Sequence, residues 1–189
     1  MPVLRSICVY CGARTGKSEM HVKATRALAR AMVENNISLV YGGGKVGLMG
    51  ILANEVLELG GEVTGIIPRQ LWDREVGHDG LTRLHVVKDM HERKALMAEL
   101  ADAFIATSGG LGTLDEFLEI FTWRMLGLHK KPIGILNIDG LYDGLFNLID
   151  HLTKEDFVDT SQTQVLHTAT DPADLISQLR KAALQIESR

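Results

Sequence analysis

The sequence predicts an α/β fold in one domain, a doubly wound parallel sheet with helices on both faces. Three observations carry that expectation. Short apolar runs alternate with amphipathic stretches along all 189 residues, and no linker or low-complexity segment interrupts them. The apolar runs are near-continuous, as expected of strands covered on both sides. Glycine-rich turns follow the first, second and fifth runs, at the carboxyl ends of strands where such sheets bind ligands.

Strands are expected at Ser6–Tyr10, Ser38–Tyr41, Glu62–Ile67, Arg83–Val87, Ala103–Thr107 and Pro132–Asn137, with a weaker one near Gln164–His167. Helical patterns lie between them at Glu19–Asn35, Leu48–Leu59, Met90–Ala101, Leu114–Leu126, Leu141–His151 and Pro172–Ile186. In the first helix Val22, Leu28, Ala29, Met32 and Val33 recur at helical spacing, and Asn35-Asn36 supplies the stop. Strand and helix in strict succession imply right-handed crossovers.

With 46% apolar residues the chain can bury a sizeable core, and its net charge of −4 argues against nucleic acid as the main ligand. An anion site must therefore be local, made by glycine turns and a few placed cations. No apolar run approaches the ~20 residues needed to span a bilayer. Arg5 and Arg14 bracket only a short strand, so the N-terminus lacks the apolar stretch of a signal peptide and a cytoplasmic protein is expected. Cys8 and Cys11 form a C-x-x-C, but Cys8 lies inside a strand pattern and no second pair exists to complete a zinc site. Both read as small buried hydrophobes. The histidines show no ligand spacing, so no metal is expected.

Each glycine turn has its own reading. Gly12-Ala13-Arg14-Thr15-Gly16-Lys17-Ser18 is one residue short of a P-loop, because glycine would have to stand at Cys11. Gly42-Gly43-Gly44-Lys45-Val46-Gly47 fits G-x-G-x-x-G, yet the next strand ends Ile66-Ile67-Pro68-Arg69 without the carboxylate a dinucleotide ribose requires. Close packing of that turn against a mononucleotide explains its glycines equally well. The third turn, Ser108-Gly109-Gly110-Leu111-Gly112-Thr113, runs from a strand into a helix. There bare backbone N–H groups and the positive end of the helix dipole can cradle a phosphate. Glu116 falls one turn into that helix. A carboxylate beside a phosphate is unhelpful for affinity, which suggests a chemical task, although it can also simply favour a helix N-terminus. Met90-His91-Glu92-Arg93-Lys94 opens the preceding helix and places Arg93 and Lys94 at the same sheet edge, as phosphate or carboxylate partners or as solvated charges.

Tyr41-Gly42-Gly43-Gly44 with Gly47-Leu48-Met49-Gly50, then Met90-His91-Glu92-Arg93-Lys94, then Gly109-Gly110-Leu111-Gly112-Thr113-Leu114-Asp115-Glu116 together resemble the LOG ("lonely guy") family. The likeness extends over nearly the whole chain, including Thr122-Trp123 and Leu126 to Pro132. Members are nucleoside 5'-monophosphate phosphoribohydrolases that release free cytokinins, and they are widely mislabelled as lysine decarboxylases. The resemblance implies a Rossmann-like fold, at least a homodimer, and no metal or redox cofactor. It also implies hydrolysis of AMP or an N6-substituted AMP to free base and ribose 5-phosphate. By position, Arg93 and Glu116 match the catalytic arginine and glutamate, and Gly109, Gly110, Gly112 and Thr113 the phosphate-binding turn. Glu75, Lys94 and Thr122 fall where the family contacts substrate, and Gly43, Gly44 and Met90 join the substrate-binding set.

Three departures from the family pattern stand out: Ser108 stands where proline is usual, Ala13-Arg14 replaces a small hydroxyl pair, and Asp115 replaces a frequent glutamate. A carrier that binds a nucleotide or phosphorylated cofactor without turnover is the competing reading. A pyridoxal-dependent decarboxylase is a poor one, since no spacing nominates a Schiff-base lysine.

Overall fold

The computed structural model describes residues 4–74 and 77–187. In chain order the elements are β1 (Ser6–Tyr10), α1 (Glu19–Glu34), β2 (Ser38–Tyr41), α2 (Gly47–Glu58), β3 (Val63–Pro68) and α3 (Arg69–Trp72). There follow β4 (Arg83–Val87), α4 (Met90–Leu100), β5 (Ala103–Ala106), α5 (Leu111–Met125), β6 (Ile133–Leu136) and α6 (Asp143–Lys154). The chain closes with α7 (Thr160–Thr163), β7 (Leu166–Ala169) and α8 (Pro172–Glu187).

All strands pair in parallel in one sheet of order β4-β3-β2-β1-β5-β6-β7. The winding reverses at β1, which pairs with β2 on one edge and β5 on the other, with Ile7 opposite Ala103 and Tyr10 opposite Ala106. That reversal opens a crevice at the carboxyl ends of β1 and β5.

Strand alternation splits the core into two layers. Ile7 and Val9 face Leu28 and Met32 of α1, Leu52 and Val56 of α2, and Leu175 and Leu179 of α8. Cys8 and Tyr10 face the opposite layer with Met97 of α4 and Phe117 and Phe121 of α5. Cys11 belongs to the first layer, so the two thiols of the C-x-x-C point to opposite faces of the sheet. Both are free and buried, and burial raises the pKa of each far above the ordinary thiol value. Among the described residues, no helix is long and apolar enough to cross a membrane.

The expected elements differ from the observed ones mainly at their ends. Helix α5 begins at Leu111 rather than Leu114, because Gly110 takes an extended conformation and serves as N-cap. The last strand lies two residues beyond its expected place, and two short helices, α3 and α7, lie in stretches where no element is expected. Helix α7 is held by a capping box in which Asp159 and Gln162 each satisfy a backbone donor of the other.

Leu28 has no exposed surface in the layer beneath α1. Leu28→Ala should lower unfolding free energy by about 2–5 kcal/mol, read as a reduced urea midpoint with an unchanged slope.

Candidate active site

The carboxyl ends of β1, β2 and β5 are tied together by a single residue. The Gly12 N–H donates to Ser108 O (2.9 Å), and Gly12 O accepts from the N–H groups of Leu48 (3.0 Å) and Met49 (3.3 Å). Two amides at the start of α2 are thereby occupied, which leaves the second glycine turn poorly suited to bind an anion with its helix N-terminus. Helix α5 is different. The Leu114 N–H donates to Gly110 O (3.1 Å). The amides of Leu111, Gly112 and Thr113 precede it and have no carbonyl within the helix to bond. Gly109 makes the turn possible, since a Cβ there would collide with Thr113 Oγ1.

Arg93 reaches this place from α4. Asp89 caps that helix, its carboxylate accepting from the N–H groups of His91 and Glu92 (both 3.0 Å), and the Arg93 N–H donates to Asp89 O (3.1 Å). One turn apart on the same face, Arg93 and Met97 are the buried residues of α4. The Arg93 guanidinium lies over Gly42, where any Cβ would overlap Nη2. Its Nη2 stands 3.1 Å from Glu116 Oε1, and its Nη1 donates to Met90 Sδ at 3.6 Å. The Nε–H has no partner among the described residues. Burial raises the Glu116 pKa above the ordinary glutamate value; Arg93 pulls it back and the neighbouring Asp115 pushes it further up.

These groups line a cleft of about 740 Å3, a size usual for small-molecule sites. Arg93, Glu116, Gly44, Gly109, Gly110, Gly112, Thr113 and Met90 all border it. Val46, Met49, Ile67, Leu71 and Leu141 give it an apolar wall. Gly43, Lys94 and Thr122 do not border it. Gly43 packs against Ile66 and Ile67, and its carbonyl accepts from the His78 N–H at 2.9 Å. Lys94 turns instead to Asp115 (3.2 Å) and Glu119 (3.1 Å). Burial alone would lower its pKa, but the two carboxylates outweigh that and the net direction is upward. Thr122 is exposed on α5, and Glu75 lies outside the described residues.

Sequence reasoning missed two contributors. Asp89 was legible in the pattern Asp89-Met90-His91-Glu92, an acidic N-cap with glutamate three residues later. His21, whose Nδ1 lies 2.8 Å from Ser108 Oγ, carries no such signal because its partner is 87 residues away. A second groove of about 440 Å3 lies between α1 and the start of α8. Its arginines, Arg26 and Arg30, already bind the buried Glu55.

A family model described as "Possible lysine decarboxylase" matches residues 49–179. The chain is 44% identical over 175 residues to the cytokinin riboside 5'-monophosphate phosphoribohydrolase LOG5 of Arabidopsis thaliana, covering 93% of this chain and 77% of that protein. It is 43% identical over 183 residues to the phosphoribohydrolase LOG of Oryza sativa subsp. japonica, covering 97% and 76%. The chain belongs to the LOG family. Among solved structures, the molybdenum cofactor binding protein of Rippkaea orientalis matches with a TM-score of 0.71 at 22% identity, covering 93% of this chain and 95% of that one. The Moco carrier protein of Chlamydomonas reinhardtii matches at 0.70 and 19%, covering 95% and 98%. At such identities these neighbours share the Rossmann-like fold with the LOG chain and nothing finer.

Because Arg93 lowers the Glu116 pKa, removing or displacing it should raise that pKa further. Carboxyl-carbon NMR should show Glu116 titrating above the ordinary glutamate value in the wild type. It should titrate higher again in Arg93→Met and in Gly42→Ala, where the new Cβ displaces the guanidinium.

Proposed function

We propose that the chain hydrolyses the N-glycosidic bond of a nucleoside 5'-monophosphate, AMP or an N6-substituted AMP of cytokinin type, giving free base and ribose 5-phosphate. The observation that carries this reading is a buried carboxylate, Glu116, held against Arg93 one turn beyond the free amides of α5. The names of the LOG relatives point to the same reaction.

On this reading the amides of Leu111, Gly112 and Thr113 hold the 5'-phosphate, with the helix dipole favouring the anion. Binding energy remote from the reacting carbon then positions the sugar. The apolar wall receives the base. As the bond from C1' to the base nitrogen breaks, its electron pair leaves with the base and positive charge builds on the ribose. The Glu116 carboxylate stabilises that charge and accepts a proton from the water that attacks C1', and that proton then passes to the base nitrogen, leaving neutral base and an ionised Glu116. Arg93 favours the ionised form of Glu116 against the opposing effect of burial.

A binding protein without turnover is less well matched, because a buried carboxylate weakens a phosphate site and brings a carrier no benefit. The decarboxylase label is poorly matched too. No lysine borders the cleft among the described residues, so a pyridoxal Schiff base has no amine there.

We further propose a homodimer formed through α5. Ile120 and Phe121 are core, but Leu118 (42% exposed), Leu126 (68%) and Leu128 (68%) leave an apolar face from the middle of that helix to just past its end. A second copy seated there would cover Thr122 with these leucines. The nucleotide substrate and the two unpaired thiols suit a cytoplasmic protein.

Two measurements test these readings. Glu116→Gln should lower kcat for release of base from AMP, followed by chromatography, by about two to three orders of magnitude while nucleotide still binds. Retained turnover would end the assignment. Light scattering should give twice the 20.8 kDa chain mass, and Leu126→Asp should shift it towards the monomer.

A further inference from the structure

Ser108 and His21 meet at the phosphate end of the cleft and take no part in the reaction described above. Ser108 lies two residues past the end of β5, immediately before the Gly109 turn, and is only 3% exposed. Its carbonyl is held by the Gly12 N–H, and its Oγ lies 2.8 Å from His21 Nδ1. His21 stands on the first turn of α1, with the Thr25 hydroxyl donating to its carbonyl at 2.8 Å. Its ring packs against Gly16, where φ is +76° and a Cβ would come within 2.9 Å of Cδ2. Both side chains border the cleft.

A serine hydroxyl has a single proton, so the pair has two arrangements. If Ser108 donates to Nδ1, the hydroxyl offers the cleft only lone pairs, which repel an anion. If Nδ1–H donates to Ser108, the hydroxyl proton is free to bond a phosphate oxygen. An anion at the α5 amides favours the second arrangement, and a neutral ligand gives no such preference.

We propose that His21 is a positioning residue that turns the Ser108 hydroxyl into a phosphate donor, and that the pair reinforces selection of a phosphorylated ligand over its unphosphorylated counterpart. This rests on the reading of the α5 turn as the phosphate site, and not on turnover.

Calorimetric titration with ribose 5-phosphate and with inorganic phosphate tests it. Ser108→Ala and His21→Phe should each weaken both ligands about ten-fold, the loss of one charge-assisted hydrogen bond. The double variant should be no weaker than either single one, since the two residues deliver one bond. His21→Asn, whose amide nitrogen can stand near the place of Nδ1, should recover most of the affinity. In nitrogen NMR, added phosphate should move the His21 Nδ1 resonance towards the protonated form. For AMP hydrolysis KM should rise more than kcat falls. Unchanged phosphate affinity in Ser108→Ala, additive losses, or a His21→Asn variant as weak as His21→Phe would overturn the proposal. The last outcome would leave His21 as packing for the α1 turn. The expected affinities without release of base would leave this pair standing and remove the hydrolase reading alone.

Discussion

Arg93 and Glu116 are each 8% exposed, and neither charge would be tolerable there without the other. Moving a single ion out of water costs several kcal/mol even after relaxation, and a partner at 3.1 Å offsets much of that cost. The pair joins the first turn of α4 to the first turns of α5, so the positions of both helices at the sheet edge are coupled through it. It also explains features around it that have no separate cause. Gly42 must lack a side chain because the guanidinium occupies that space. The Asp89 cap fixes where α4 begins, and thereby where Arg93 points. Glu116 lies just far enough into α5 to leave the leading amides open.

Much of this was legible in the sequence because the determinants are local. Continuous apolar runs gave most strands to within a residue or two, and the order of glycine turns pointed to the sheet edge. Element ends were less legible. Gly112-Thr113 has poor helix propensity, yet it falls in the first turn of α5 because Gly110 caps that turn in an extended conformation. Helices α3 and α7 are too short for periodicity to register. In the site, Arg93 and Glu116 stood out by placement on successive helices. Lys94 did not behave as its neighbour does, since one residue along a helix rotates a side chain by about 100°, here away from the cleft. The contact of His21 with Ser108 depends on how α1 packs beside β5, which no window of sequence contains.

The fold by itself says little about the chemistry. The molybdenum-cofactor proteins share it at 22% identity or below, whereas the LOG relatives share more than two-fifths of the residues. What separates a carrier from a hydrolase on such a frame is the content of the crevice. A buried acid opposite a guanidinium is a costly arrangement to maintain for storage alone.

The central place of β1 has a consequence for how the chain assembles. Residues up to Val87 contain β1 to β4 and two of the three helices that cover one layer, α1 and α2, and these strands can pair in order as they emerge during synthesis. The other edge of β1 must wait for β5, since Ile7 pairs with Ala103 and the Asp102 carboxylate accepts from the Arg5 and Ser6 amides. Until then a buried-type strand has one open edge, the condition under which nascent chains mispair. Contacts this distant in sequence slow folding, because the loop between them must be ordered before any pairing compensates. The crevice therefore cannot exist before β5 arrives: its two walls are made at opposite ends of the wait.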